Sequence, residues 1–232
     1  MNTYKNIART MGILYILGTI SGILSRVVTG TINSAPDLLA SISANGNPIT
    51  LGALFVLTMG LALAMIPVMA YPVLRKHDEI LALGYVVFRG ALEAVYYMAI
   101  LVSWLLLLPL SRVYQAGSPD ASTLTVLANV LLEAKEIAVL GTFVFCLGGL
   151  MFYYLLFQSK LVPQWLSGWG FIALILGFAA GLLVMFGFFG PTSTISDVLQ
   201  IPIGLQEMVL AVWLIVKGFN PSALASESAK TE

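Results

Sequence analysis

Leu51-Gly-Ala-Leu-Phe-Val-Leu-Thr-Met-Gly-Leu-Ala-Leu-Ala-Met-Ile-Pro-Val-Met-Ala70 holds no charged residue and a single hydroxyl, inside an apolar run from 49 to 74. About 20 apolar residues span the roughly 30 Å hydrocarbon core of a bilayer as an α-helix. A helix is the only open-ended element that satisfies its backbone hydrogen bonds internally in lipid. Working outward, five more stretches meet the same test, at 8–28, 81–108, 130–157, 166–189 and 198–216. Pro67 is predicted to kink the second. The expected fold is all-α: a polytopic six-transmembrane-helix bundle.

Composition agrees. Of 232 residues, 59% are hydrophobic and only 9% charged, with a mean hydropathy of +0.96, whereas a soluble domain carries about 25% charge. Lys plus Arg and Asp plus Glu number 11 each, so no basic surplus points to nucleic acid, which is excluded as a partner. Cys146 is the single cysteine and His77 the single histidine. An internal disulfide and a histidine-rich metal site are therefore both excluded. His77 reads as a loop residue and Cys146 as a buried apolar one.

The loops between the spans set an expected orientation. Lys5 and Arg9 precede the first span, which is too long for a signal-peptide core and lacks a convincing cleavage site. With the N-terminus inside, the inner segments carry Lys5, Arg9, Arg75, Lys76, Lys160, Lys217 and Lys230, and the outer loops carry only Arg112. Cytoplasmic loops are enriched in Lys and Arg, so both termini are expected inside. Residues 1–220 read as one domain and 221–232 as a short polar, disordered tail. The outer segment 30–48 has an apolar interruption, 36–42, suited to a surface helix, and 110–129 reads as a long outer loop. No internal three-plus-three repeat is evident.

Charges inside the spans are few. Each costs roughly 2.5 to 3.5 kcal/mol at a helix centre unless partnered or facing a polar cavity. Arg89 and Glu93 lie four apart on one face of the third span, and Glu207 lies at similar depth in the sixth. These three are expected to converge with a formal sum of minus one, so that a proton, cation or neighbouring donor must balance it. Tyr97 follows Glu93 at helical spacing, and Gln200, Gly204, Glu207 and Ala211 share a face of small or polar residues. An outer layer is expected from Arg26 with Glu133 and Glu136, Glu136 being the preferred partner, while Lys135 snorkels to the headgroups. Gly18 and Gly22 share the Arg26 face and invite close helix contact. Ala173, Gly177 and Gly181 form a small-residue ladder that packs inside the monomer or between copies of a homo-oligomer. Trp104, Trp165, Trp213 and Tyr71 read as interfacial anchors.

Ala70-Tyr-Pro-Val-Leu-Arg-Lys-His-Asp-Glu-Ile-Leu-Ala-Leu-Gly-Tyr85 and Phe88-Arg-Gly-Ala-Leu-Glu-Ala94 resemble the bacterial domain of unknown function 4386 family of integral membrane proteins. So do Leu156-Phe-Gln-Ser-Lys-Leu-Val-Pro-Gln-Trp-Leu-Ser-Gly-Trp-Gly170 and Leu205-Gln-Glu-Met-Val-Leu-Ala-Val-Trp-Leu-Ile-Val-Lys-Gly-Phe219. Gly90–Ala91 departs from the bulkier aliphatics of that pattern without touching the charged pair. The resemblance implies a multi-pass protein of a bacterial cytoplasmic (inner) membrane and carries no activity over.

Three functions from different classes remain. The first is noncatalytic binding, transport or sensing of a small molecule or proton by the Arg89–Glu93–Glu207 cluster. The second is an intramembrane lipid-modifying enzyme with Glu93 or Glu207 as general base. The third is an accessory subunit whose charges only hold the bundle. No glycine-rich nucleotide loop or dinucleotide fingerprint is present, so no cofactor is expected; no metal site is assigned, although a carboxylate-only one stays open. No residue is assigned as catalytic, and the partners expected are the lipid bilayer and a small-molecule ligand.

Overall fold

The computed structural model describes residues 2–33, 35–117, 119–133, 135–190 and 193–228. Ten α-helices and one π-helical segment, π1, account for them: α1 (Asn2–Asn33), α2 (Leu38–Ala44), α3 (Asn47–Leu74), α4 (Glu79–Tyr85), π1 (Val86–Leu92), α5 (Glu93–Gln115), α6 (Ala121–Glu133), α7 (Lys135–Ser159), α8 (Gln164–Met185), α9 (Thr194–Val216) and α10 (Pro221–Ser228). There is no strand among the described residues. Six helical stretches are long and apolar enough to cross a membrane: Thr3–Gly30, Asn47–Leu74, Glu79–Gln115, Val139–Ser159, Gln164–Met185 and Thr194–Val216. Their outward faces stay apolar. Ile13, Val27, Leu54, Val95, Ile172 and Val212 are all more than half exposed, far beyond the apolar patches that water tolerates.

Helix contacts run from α3 to α1, α1 to α9, α9 to α8, α8 to α7, α7 to α4, π1 and α5, and from π1 and α5 back to α3. The six spans thus close a ring. Small residues allow the close approaches: a Cβ on Gly18 would lie 2.8 Å from Leu63 of α3, and one on Gly12 would lie 2.5 Å from the Ala211 carbonyl of α9. On α8, Ala173 is buried, Gly177 faces Cys146 and Gly181 faces Thr142 and Phe143 of α7. That small-residue ladder is therefore used within the monomer. Pro67 lies inside α3 and is buried.

The ends of the ring differ from expectation in three places. Residues 110–129 do not form a loop. The third span continues helically to Gln115, and α6 follows at Ala121, with Ala128 buried in one cluster with Ile32, Leu39, Ile42, Ile49 and Leu107. Val130, expected to open the fourth span, belongs to α6, because the apolar positions of 121–133 serve this end cluster. The tail after Asn220 is helical through Ser228. Ala223 and Leu224 pack against the main core, which supplies the apolar contact that the tail's polar composition concealed. The surface helix expected at 36–42 is present as α2, capped by the Asp37 carboxylate, which accepts from Ala40 N–H at 3.0 Å.

The opposite end gathers the N-terminus, the α3–α4 turn, the α7–α8 loop and the start of α10. Lys76 Nζ donates to the Tyr4 hydroxyl at 2.6 Å, Gly218 approaches Ala8, and Asn220 N–H donates to the Leu161 carbonyl at 2.8 Å. Lys76, Lys160 and Lys217 thus share one end of the bundle.

Candidate functional site

Arg89 stands in the middle of π1. A π turn carries more residues than an α turn and is found mostly as short segments, often at functional sites. Two neighbours shape the wider turn. A Cβ on Gly90 would lie 3.4 Å from Pro67, and one on Gly148 of α7 would lie 2.6 Å from Arg89 Cγ, 2.9 Å from Phe88 Cβ and 3.0 Å from Arg89 N. Gly148 therefore lets α7 lie directly against the arginine backbone and stem.

The guanidinium is divided between two helices. Arg89 Nη1 donates to Glu93 Oε1 at 2.9 Å and lies 2.8 Å from Glu93 Oε2. Arg89 Nη2 donates to Glu207 Oε1 on α9 at 3.1 Å. Arg89 Cζ lies over the Phe145 ring, 4.3 Å from its centroid, a position in which the ring face attracts the cation. Tyr97 OH donates to Glu93 Oε1 at 3.0 Å. Arg89 and Glu93 are 3% and 2% exposed, whereas Glu207 retains 16%. Among the described residues Glu93 Oε2 accepts no hydrogen bond of good geometry, and the buried Tyr85 hydroxyl makes none of good geometry. The cluster joins one cation to two carboxylates, formally minus one, with hydrogen-bonding capacity left over.

A belt of polar groups adjoins it. Tyr15 of α1, Tyr85 of α4 and Tyr153 of α7 are fully buried and lie within electrostatic reach of Arg89 and Glu207. Tyr153 OH donates to Gln206 Oε1, and Gln206 Nε2 donates to the Leu166 carbonyl of α8 at 3.0 Å. Tyr85 stacks on Phe152 with centroids 4.6 Å apart. Three of the six spans thus direct four tyrosines toward the cluster: Tyr15 from the first, Tyr85 and Tyr97 from the third, and Tyr153 from the fourth.

The structure brings together four of the five residues expected at the centre, namely Arg89, Glu93, Glu207 and Tyr97. Gln200 is not among them: it is exposed and donates to Ser196 Oγ at 3.3 Å within α9. Gly204 also faces outward, with nothing near a would-be Cβ. Of the face expected to turn inward, Glu207 and Ala211 do so, and Gln206, Leu210 and Leu214 join them in place of Gln200 and Gly204. Arg26 is exposed, and the side chains of Glu133 and Glu136 lie outside the described residues, as does that of Lys135. Tyr15, Tyr85, Tyr153 and Gln206 were not anticipated. The signals were available: Tyr85 lies four residues before Arg89, Gln206 adjoins Glu207, and Ala8, Met11, Tyr15 and Gly18 follow helical spacing. Among the described residues no group of three or more His, Cys, Asp or Glu side chains is placed to hold a metal ion.

Six apolar helices closed around a buried arginine and two glutamates define a multi-pass helical membrane protein. More particularly, the chain belongs to the family of the domain of unknown function DUF4386, whose model matches residues 10–218. No curated protein and no solved structure matches it.

Proposed function

We propose that the protein is a noncatalytic binding, transport or sensory membrane protein that takes up a proton or small cationic ligand at Glu207. One observation carries this reading: a single guanidinium serves two carboxylates, and the partly accessible one is Glu207. Arg89 and Glu93 neutralise each other within one helix, so the surplus negative charge falls to α9. An uncompensated charge in a low-dielectric interior is costly. Binding a proton or cation there relieves the cost, and the bound species then alters how α9 holds to π1.

The test is Glu207→Gln, which keeps volume and most hydrogen-bonding capacity. Thermal stability of the purified protein is measured between about pH 5 and 8 and in the presence of monovalent cations or small amines. The wild-type chain is expected to show pH- or cation-dependent stability that the variant lacks. Identical profiles in the two proteins would replace this reading with a purely structural cluster, which tolerates or gains from loss of the surplus charge.

The reading places the protein in a bacterial cytoplasmic membrane with both termini inside, supported by the excess of Lys and Arg in the segments assigned to that side. Cysteines introduced at 75–80 are expected to react only from the cytoplasm and those at 41–47 only from outside. The reverse pattern inverts the orientation.

A further inference from the structure

Away from the charged cluster, two depressions meet on the surface of α9. One is a notch of about 430 Å³ and mixed polar and apolar lining at the end of the bundle, between the α7–α8 loop and the α9–α10 junction, lined in part by Lys160, Gln164, Trp213, Lys217 and Asn220. The other is a shallow, open groove along the outward face of α9, formed by that helix's own Leu205, Met208, Val209, Val212 and Val216 and almost wholly apolar. Trp213 and Lys217 border both.

We infer that these two depressions form one binding site for an anionic phospholipid, its phosphate headgroup in the notch and an acyl chain in the groove.

Three features favour that occupant. The first is charge: Lys160 and Lys217 are both exposed, no acidic side chain lines either depression, and neither lysine pairs with a carboxylate among the described residues. Basic pockets at the ends of transmembrane helices recognise anionic headgroups.

The second is preorganisation. Asn220 N–H donates to the Leu161 carbonyl at 2.8 Å, and Asn220 Nδ2 donates to the Lys160 carbonyl at 3.4 Å, so the α7–α8 loop and the α9–α10 junction are tied together across the notch floor. Its volume falls in the range of about 300–1,000 Å³ found for small-ligand pockets.

The third is depth. From Leu205 to Val216 α9 rises about 16 Å at 1.5 Å per residue, roughly half of the 30 Å hydrocarbon core, and so one leaflet. Trp213 sits where notch and groove join, the interfacial position that tryptophan favours. A soluble anion would fill the notch and leave the groove to other lipids; a lipid with a neutral headgroup would leave both lysines without a counter-charge.

The full chain, purified in detergent, is exposed to dioleoyl phosphatidylglycerol, to dioleoyl phosphatidylcholine and to glycerol 3-phosphate, with bound lipid counted by native mass spectrometry and stability read by thermal unfolding. Phosphatidylglycerol is expected to be retained and to stabilise more than the other two. Lys160→Gln and Lys217→Gln should each weaken its retention about fivefold, and the double variant about twenty-five-fold. Arg112→Gln, at the other end of the bundle, should leave retention unchanged. Lys160→Arg/Lys217→Arg keeps both charges and should keep the preference for phosphatidylglycerol. Equal stabilisation by glycerol 3-phosphate makes this a soluble-anion site, and equal retention of phosphatidylcholine removes headgroup recognition. Undiminished preference in both single Gln variants places the lipid elsewhere. Each of these three results overturns the proposal.

Discussion

The middle of the bundle and the end built from α2, α5 and α6 treat similar residues in opposite ways. In the middle, Arg89 is buried with each arm on a carboxylate, and Tyr15, Tyr85 and Tyr153 beside it are buried too. At the far end, Arg26 and Asp37 are exposed, and Asp37 accepts from Tyr114 OH at 2.9 Å at the surface. Burial, not residue type, decides what each charge is worth. A buried ion pair broken by removing one partner costs about 3–5 kcal/mol, whereas surface substitutions usually fall within about ±0.5 kcal/mol.

The largest expected effect follows from that contrast. Arg89→Gln strands Glu93 and Glu207 without a cation and should destabilise the protein by about 3–5 kcal/mol, seen as a large loss of thermal stability in detergent. Arg26→Gln should change stability by no more than about 0.5 kcal/mol. Similar losses in both would abolish the distinction between the two regions.

A smaller effect sharpens the picture of the centre. Gly148→Ala places a Cβ 2.6 Å from Arg89 Cγ and 3.0 Å from the Arg89 backbone nitrogen, and backbone cannot give way as a side-chain tip can. Overpacking of this kind costs about 1–3 kcal/mol. Gly204→Ala is the matched control, since nothing lies within reach of its Cβ, and it should be neutral or slightly stabilising because alanine is the better helix former. Unfolding measurements that fail to separate the two glycines would argue against close packing of α7 on π1.

The smallest effect belongs to the far end. The Ala40 N–H, and then the Tyr114 hydroxyl, hold the Asp37 carboxyl below its ordinary value of 3.8. A carboxylate whose folded pKa is depressed contributes stability above its unfolded pKa and loses it as pH falls through the folded one. The attachment of α2 should therefore weaken only in acid below about pH 4, read by hydrogen exchange of the α2 amides. Asp37→Asn should remove that acid dependence and leave exchange at neutral pH slightly faster. Acid weakening that survives in Asp37→Asn would assign it to another group.

The six spans were legible because a long run without charge has one structural solution in lipid, and their centres hold even where their ends move. The centres of the third and sixth spans also disclosed Arg89, Glu93 and Glu207, since charges stand out against aliphatics. What periodicity concealed was the inward face of α9. The expected stripe of small and polar residues holds at Glu207 and Ala211 but not at Gln200 and Gly204, and the buried side adds Gln206 and Leu210. Among helices bathed in lipid, polarity marks the inside less sharply than it does in water, because both faces are apolar. The π segment was equally hidden, as no local residue pattern announces a wider turn. Tyr15 and Tyr153 escaped notice because a tyrosine in a span reads equally well as an interfacial anchor.

Arg89 and Glu93 are neighbours four residues apart, while Glu207 lies 118 residues further along the chain. At about 5–20 residues per second of synthesis, roughly 6–24 s separate their emergence from the ribosome. The third span can thus enter the bilayer as a self-neutralised helix, with arginine and glutamate already paired. Glu207 arrives last, in a helix with no basic residue of its own, and it must find an arginine that has been waiting since the third crossing. The charge in excess is also the one that closes the ring.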